Sequence, residues 1–474
     1  MSGTISLPLW LLVLIGVLAL WAALDRLLIP GARWVLRRRV NRVIDEINER
    51  LQLRIQPFKL TKRQVLIDRL MFDGAVLEAV EAHAQEAGIP REAAMTEVGR
   101  YAREIVPSFN AYLYFRIGYW LARRVAQALY RVRLGYADDA GLSGIDPNAS
   151  VVFIMNHRSN MDYVLVAYLA AGRAALSYAV GEWARVWPLQ QLIRSMGAYF
   201  IRRNSGSPLY RAVLARYVAM ATEGGVVQAV YPEGGLSRDG KPRSLKLGLL
   251  SYMVSAFDPA SERDLVFVPV GINYDRVLED RSLVRRLDPG AKRHSALYGL
   301  AMTVKFFSHN VGLMLRRRWY RLGYACVNFG TPVSMRAYVA ERGIDFRALD
   351  REARWVEVEA LGQMLMRRVG QVIPVLPVSL VATVFLGASD KPMSELDLKA
   401  AVHELMQRLG AAGARVYVPR ADQDYAVVVG LRMLTLRHLV TEEDGLYRAN
   451  PGERPLLAYY ANAIAHLMPG KEAA

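Results

Sequence analysis

His157 and Asp162 are the pair in this chain whose types and spacing point most directly to chemistry: an imidazole five residues before a carboxylate, just past the apolar run Val151 to Met155. That run reads as a buried strand. A histidine at its end, with Asp162 at the start of the helical pattern Tyr163 to Ala171, would let the carboxylate hold one ring nitrogen and leave the other as a base. The geometry suits deprotonation of a hydroxyl. A histidine beside a helix-capping aspartate has the same spacing, so the weight of the pair depends on what accompanies it.

The accompanying elements alternate. Strand-like runs at 151–155, 174–179, 198–201, 226–231 and 265–272 are interleaved with helical patterns at 163–171, 189–196 and 209–223. This alternation predicts an α/β fold, a mainly parallel sheet flanked by helices. Ligands of such sheets bind outside the carboxyl ends of the strands. Four polar clusters sit there: Asn156 to Asp162, Ile201-Arg202-Arg203, Tyr231 to Arg238, and the end of Val268 to Tyr274.

Taken together, NHRSNMD, GAYFIRR, YPEGGLSRDG and FVPVGINYDRV resemble the four ordered motifs of the glycerolipid acyltransferases. The FIRR and EGGLSR forms resemble the bacterial membrane-bound glycerol-3-phosphate acyltransferases more than the lysophosphatidate acyltransferases, whose third block is more often P-E-G-T-R. Similarity extends through 178–183 and 327–332 to 457–462, covering about residues 110–474. The resemblance implies transfer of a fatty acyl group from an acyl-CoA or acyl carrier protein thioester to the sn-1 hydroxyl of glycerol 3-phosphate, the first step of phospholipid synthesis. His157 would be the base and Asp162 its orienting partner. Planar, permanently charged guanidinium groups suit a phosphate dianion, which makes Arg158, Arg202, Arg203 and Arg238 its candidate ligands, although one of two adjacent arginines usually faces away. Glu233 could accept from substrate hydroxyls or hold an arginine, Ser237 could donate to phosphate or glycerol, and Gly234 allows close backbone approach. The fourth block implies that Val268, Pro269 and Val270 wall the acyl-donor channel; a plain buried strand fits them equally. Arg158, Ser159 or nearby amides are candidate oxyanion donors. Acylation of lysophosphatidate or dihydroxyacetone phosphate stays open as an alternative, as does a noncatalytic membrane-binding scaffold.

The 474 residues are 53% hydrophobic with a net charge of +17, a balance that suits anionic bilayers or phosphorylated substrates. Nucleic acid is disfavoured, since no finger, RNP-like or basic-zipper pattern occurs. Ile5 to Leu24 carries no charge and is long enough to cross a hydrocarbon core of roughly 30 Å. Residues 5–28 are therefore expected to form a transmembrane anchor. The arginines that follow, from Arg26 to Arg42, place the remainder on the cytoplasmic face of the inner membrane by the positive-inside rule.

A helical arm is expected over 31–110, a catalytic domain over 111–345, and a mostly helical accessory α+β region over 346–474. Tyr112 to Arg133 and Phe306 to Arg321 mix aromatics, aliphatics and arginines as interfacial helices do; for the former a core-packed helix with a basic face competes. Val372 to Leu386, interrupted by Pro374 and Pro377, reads as buried rather than spanning. Cys326 lies in an apolar run and is expected to pack rather than react. The seven scattered histidines form no metal motif, and no bound cofactor is expected beyond the acyl donor as co-substrate.

Overall fold

The computed structural model describes residues 56–170, 175–181, 189–202, 205–255, 257–288, 321–388 and 391–468. The expected membrane anchor, Arg203 and all but the last residue of the 306–321 segment lie outside them. Among the described residues no helix is long and apolar enough to cross a membrane. Gln52 to Ala474 forms one compact unit.

Its centre is an eight-stranded sheet: β1 (Arg131–Ala137), β2 (Ser150–Met155), β3 (Ser177–Val180), β4 (Tyr199–Phe200), β5 (Gln228–Val230), β6 (Leu265–Tyr274), β7 (Tyr324–Phe329) and β8 (Val333–Ser334). The order is β1-β7-β6-β2-β5-β3-β4, with β8 on β6. Pairing is parallel from β6 through β4 and between β1 and β7, whereas β6 pairs antiparallel with β7 and β8. The expected mainly parallel sheet is present. Several strands are shorter than the apolar runs suggested. Val226, for example, gives its N–H to Ala221 across the Gly224-Gly225 turn, so β5 starts at Gln228.

Strand β2 is buried along its whole length, as a strand covered on both faces must be, and its alternation sorts the interior into two layers. Val152 and Ile154, with Leu265 and Phe267 of β6, face helices α1 (Gly74–Ala87), α2 (Arg91–Ile105) and others. Val151, Phe153 and Met155 face helices α3 (Tyr119–Leu129) and α4 (Met161–Ala170). Helix α5 (Pro208–Glu223) and the long α6 (Arg351–Gln371) complete the first layer. Helices α7 (Pro377–Gly387), α8 (Gln423–Thr435) and α9 (Arg454–Ala461) complete the second. Emptying one such buried position, as in Ile154→Ala, costs about 2–5 kcal/mol.

The arm and the C-terminal region thus share the cores of the sheet. Lys59 shows how closely the arm is held: its Nζ donates to the Ala175 carbonyl at 2.7 Å, and burial lowers its pKa to about 7. The Val372 to Leu386 segment is buried and ends in α7. Helix α3 and the turn before it expose Tyr112, Ile117, Trp120 and Leu121 while burying Ala122, Ala126 and Leu129, so this segment has both a packed and a free apolar side. Cys326 is a buried β7 residue whose thiol burial pushes up to about 12.

Candidate active site

The parallel run of β2 delivers His157 two residues beyond the last strand position, and α4 begins at Met161, so Asp162 stands in the first turn of a helix, where negative charge is stabilised. Its Oδ2 meets His157 Nδ1 at 2.9 Å and accepts the backbone N–H groups of Arg158 and Ser159 at 2.8 and 3.0 Å. Its Oδ1 accepts the hydroxyl of Tyr274, the last residue of β6, at 2.5 Å. Asp162 is fully buried, and His157 is 3% exposed. With its carboxylate held by three further donors, Asp162 can orient the ring and stabilise an imidazolium, and His157 Nε2 is the nitrogen left for proton transfer.

The corner is fixed from several sides. Asn156 exchanges two hydrogen bonds with the Ile272 backbone, at 2.9 and 2.8 Å, sealing β2 to β6 where their ladder ends. The ring of Tyr231 stacks on His157 with centroids 4.1 Å apart. Glu279 accepts from the Ser159 hydroxyl at 2.7 Å and from the Asn160 amide at 3.0 Å, which spans the turn between histidine and aspartate.

Glu233 accepts the backbone N–H of His157 at 3.1 Å and that of Arg243 at 3.0 Å. Burial pushes its pKa up to about 7. Ser237 donates to the Lys241 carbonyl at 2.7 Å and accepts from the Gly240 N–H at 3.0 Å, while its own N–H bonds the His157 carbonyl. These two residues shape the third block around the histidine. Gly234 is exposed with φ of +63°, a conformation that favours glycine. Arg238 is exposed on the same loop.

Arg158 is the unusual member. Its Nη1 donates to the Gly240 carbonyl at 2.6 Å and its guanidinium lies 4.6 Å from the Tyr459 ring, but Nε and Nη2 are buried without a hydrogen-bond partner. They border a cavity about the size of a water molecule, lined also by Asn156, Glu233, Ser237, Asn273 and Ala463. Gly240 is needed for this approach, since a Cβ there would fall 2.0 Å from the Tyr459 carbonyl oxygen. Helix α9 thereby closes the site.

Arg202 points elsewhere. Its Nε and Nη2 bind both oxygens of Glu104 at 2.9 and 2.7 Å, between the rings of Tyr101 and Tyr210. This fork ties the end of β4 to α2 and occupies the group expected to meet phosphate. Val268, Pro269 and Val270 are buried β6 residues, with both valines in the sheet's core, which is the plain-strand alternative for the fourth block. Sequence reasoning passed over Tyr274 and Tyr231, although both stand inside the quoted blocks. Glu279 had no local signal at all.

A sequence profile described as an acyltransferase matches residues 139–273, and one described as the glycerol-3-phosphate acyltransferase C-terminal region matches 310–469. Both profiles describe what this chain is similar to, and its curated relatives are named glycerol-3-phosphate acyltransferase. Among relatives bearing that name, the protein of Actinobacillus succinogenes is 26% identical over 86% of this chain and 50% of its own length. That of Aeromonas hydrophila is 27% identical over 94% and 55%. That of Xylella fastidiosa strain M23 is 26% identical over 91% and 50%. The chain spans about half the length of these curated relatives. A solved 1-acyl-sn-glycerophosphate acyltransferase from Thermotoga maritima aligns over 64% of this chain and 97% of its own, at 16% identity and a TM-score of 0.30.

Proposed function

We propose that this chain transfers a fatty acyl group from a thioester to the sn-1 hydroxyl of glycerol 3-phosphate. The observation that carries the chemistry is the buried His157–Asp162 pair at the carboxyl end of β2, at 2.9 Å; the acceptor is taken from the relatives' name. His157 Nε2 takes the hydroxyl proton as that oxygen attacks the thioester carbonyl. The tetrahedral oxyanion then collapses, the carbon–sulfur bond breaks, and the imidazolium returns its proton to the leaving thiolate. Asp162, fixed by Tyr274 and two amides, holds the ring throughout and stays ionised.

The phosphate of the acceptor is assigned to Arg158, which lines a water-sized cavity and whose Nε and Nη2 have no hydrogen-bond partner, with the exposed Arg238 and Arg203, which lies outside the described residues, as further candidates. Glycerol 3-phosphate is larger than that cavity, so its entry displaces the 237–243 loop. Arg202 is left in its structural fork with Glu104. Attachment to the cytoplasmic face of the inner membrane through residues 5–28 is part of the same proposal and suits the lipophilic donor and product.

The test is acyl transfer from labelled palmitoyl-CoA in membranes carrying the full chain, offering glycerol 3-phosphate or lysophosphatidate, with His157→Ala alongside. Histidine-dependent formation of lysophosphatidate is expected. Phosphatidate formed only from added lysophosphatidate would replace the acceptor, and histidine-independent turnover would overturn the mechanism.

A further inference from the structure

Four arginines converge on a second cavity, of about 340 Å³, lined by Arg131, Arg133, Arg321 and Arg420 together with Tyr324 and Tyr417. Arg131 and Arg133 come from one face of β1, Arg321 from the chain entering β7, and Arg420 from the segment before α8. Among the described residues none of the four forms an ion pair with a carboxylate, whereas Arg202, Arg216, Arg342 and Arg437 all do. Their contacts are instead with phenols. Arg131 and Arg133 lie 5.6 and 5.9 Å from the Tyr324 ring, Arg133 Nε donates to the Tyr417 hydroxyl at 3.1 Å, and Arg420 stacks on Tyr425 at 4.3 Å.

Gathering four permanent positive charges around one concavity is repulsive unless an anion fills it. The local backbone adds to that cost, since Arg420 and Ala421 both hold positive φ, at 60° and 55°, a conformation that side chains other than glycine rarely adopt. Guanidinium forks of this kind recognise phosphate oxygens in pairs.

The position in the sheet says which phosphate. Arg131 pairs with Tyr324 and Arg133 with Cys326, Cys326 stands opposite Asn273, and β6 runs parallel to β2. The pocket therefore lies at the same end of the sheet as His157, displaced sideways by the three strand spacings from β2 to β1, about 14 Å. A ligand with its reactive carbonyl at His157 and its phosphates in this pocket must have a long flexible arm between the two, as an acyl thioester of a phosphorylated pantetheine carrier does. A concave site of four guanidinium groups edged by two phenol rings fits a compact, multiply phosphorylated nucleotide better than the broad surface of an acidic carrier protein.

We propose that the Arg131–Arg133–Arg321–Arg420 pocket binds the phosphate-bearing nucleotide end of the acyl-CoA donor. The assignment deepens the transferase reading above and rests on it for the identity of the donor.

The experiment is calorimetric titration of the full-length protein with coenzyme A and with adenosine 3′,5′-bisphosphate, comparing wild type, His157→Ala and the double variant Arg133→Gln/Arg420→Gln. Co-sedimentation with vesicles of phosphatidylcholine, with and without phosphatidylglycerol, runs beside it. Both substituted side chains are exposed, and circular dichroism verifies that the variant folds. The expected result is saturable binding of both nucleotides to wild type and His157→Ala, weakened at least tenfold in the double variant, with the KM for palmitoyl-CoA raised and that for glycerol 3-phosphate unchanged. Nucleotide binding equal in all three proteins, or absent from wild type, would overturn the proposal. So would a double variant that loses anionic vesicles or an acidic acyl carrier protein while binding coenzyme A as wild type does. Because binding is read without turnover, a protein that binds coenzyme A through these arginines yet transfers no acyl group would support the pocket and sink the transferase reading instead.

Discussion

The two sites at the His157 end of the sheet, one beyond β2 and one beside β1, are built on opposite electrostatic plans. Around His157 nearly every polar group is answered from inside the protein: Asp162 by a ring nitrogen, two amides and a phenol, and Glu233 by two amides. Around Arg131 and Arg133 no described carboxylate forms an ion pair, and the buried Asp275 reaches Arg131 only through space. A site that must hold a proton-transfer geometry has to be satisfied internally before substrate arrives, because an unsatisfied buried group relaxes toward some other partner. A site that collects an anion keeps its donors unanswered. Arg158 belongs to the first site but is built on the second plan, buried with Nε and Nη2 unpartnered, which is the ground on which it is proposed for the acceptor phosphate.

The contrast is testable, and the largest effect is expected at the histidine. His157→Ala should cost about 10²–10⁴-fold in kcat in a variant that still folds, as circular dichroism at the assay temperature checks; a variant that loses activity only by unfolding would erase the distinction between the sites. Next comes the pair that closes α9 and α8 onto the catalytic corner. Arg437 Nη2 lies 2.6 Å from Asp280 Oδ2, with both side chains under 10% exposed, and Tyr460 also donates to that carboxylate. Removing one partner of a buried pair costs about 3–5 kcal/mol. Arg437→Met should therefore lower the denaturation midpoint markedly, measured by chemical unfolding.

A smaller effect separates the arginines of the site. Charge-assisted hydrogen bonds contribute about 1.5–3 kcal/mol, so Arg158→Lys should raise the KM for glycerol 3-phosphate about tenfold or more. Arg202→Lys, altering a partly exposed structural fork, should leave it within about twofold. Equal effects in steady-state kinetics would return Arg202 to the phosphate.

The smallest expected effect is a pH dependence. The Glu233 pKa is raised from 4.5 to about 7 by burial, so the folded state binds its proton more tightly than the unfolded state. This group therefore favours folding most below pH 4.5, and its contribution is lost as pH rises towards 7. Glu233→Gln should remove that slope from the pH dependence of stability, followed by thermal unfolding between those limits. A slope unchanged by the substitution would mean that Glu233 is not the group responsible.

Much of this was legible along the chain because the informative spacings are short. The β2 run, the five-residue step from His157 to Asp162 and the turn chemistry of Tyr231 to Gly240 are local, and each block survives intact in the folded molecule. The alternation of strand-like and helical runs also anticipated the parallel sheet, since strands covered on both faces read as continuous apolar runs. What spacing could not convey is direction. Arg202 reads as a phosphate ligand until α2 brings Glu104 to it from 98 residues away, and Val268 and Val270, which read equally as a channel wall or a buried strand, lie in the core.

By itself, then, the sequence determined the elements, the His157–Asp162 pairing and the resemblance to acyltransferase motifs, because those depend on residue type at short separation. Only the tertiary structure decided which charges are answered and which are left open, because that balance is struck between residues such as Tyr274 and Asp162, or Arg133 and Arg420, which lie far apart along the chain and become neighbours only when the sheet and its helical layers close.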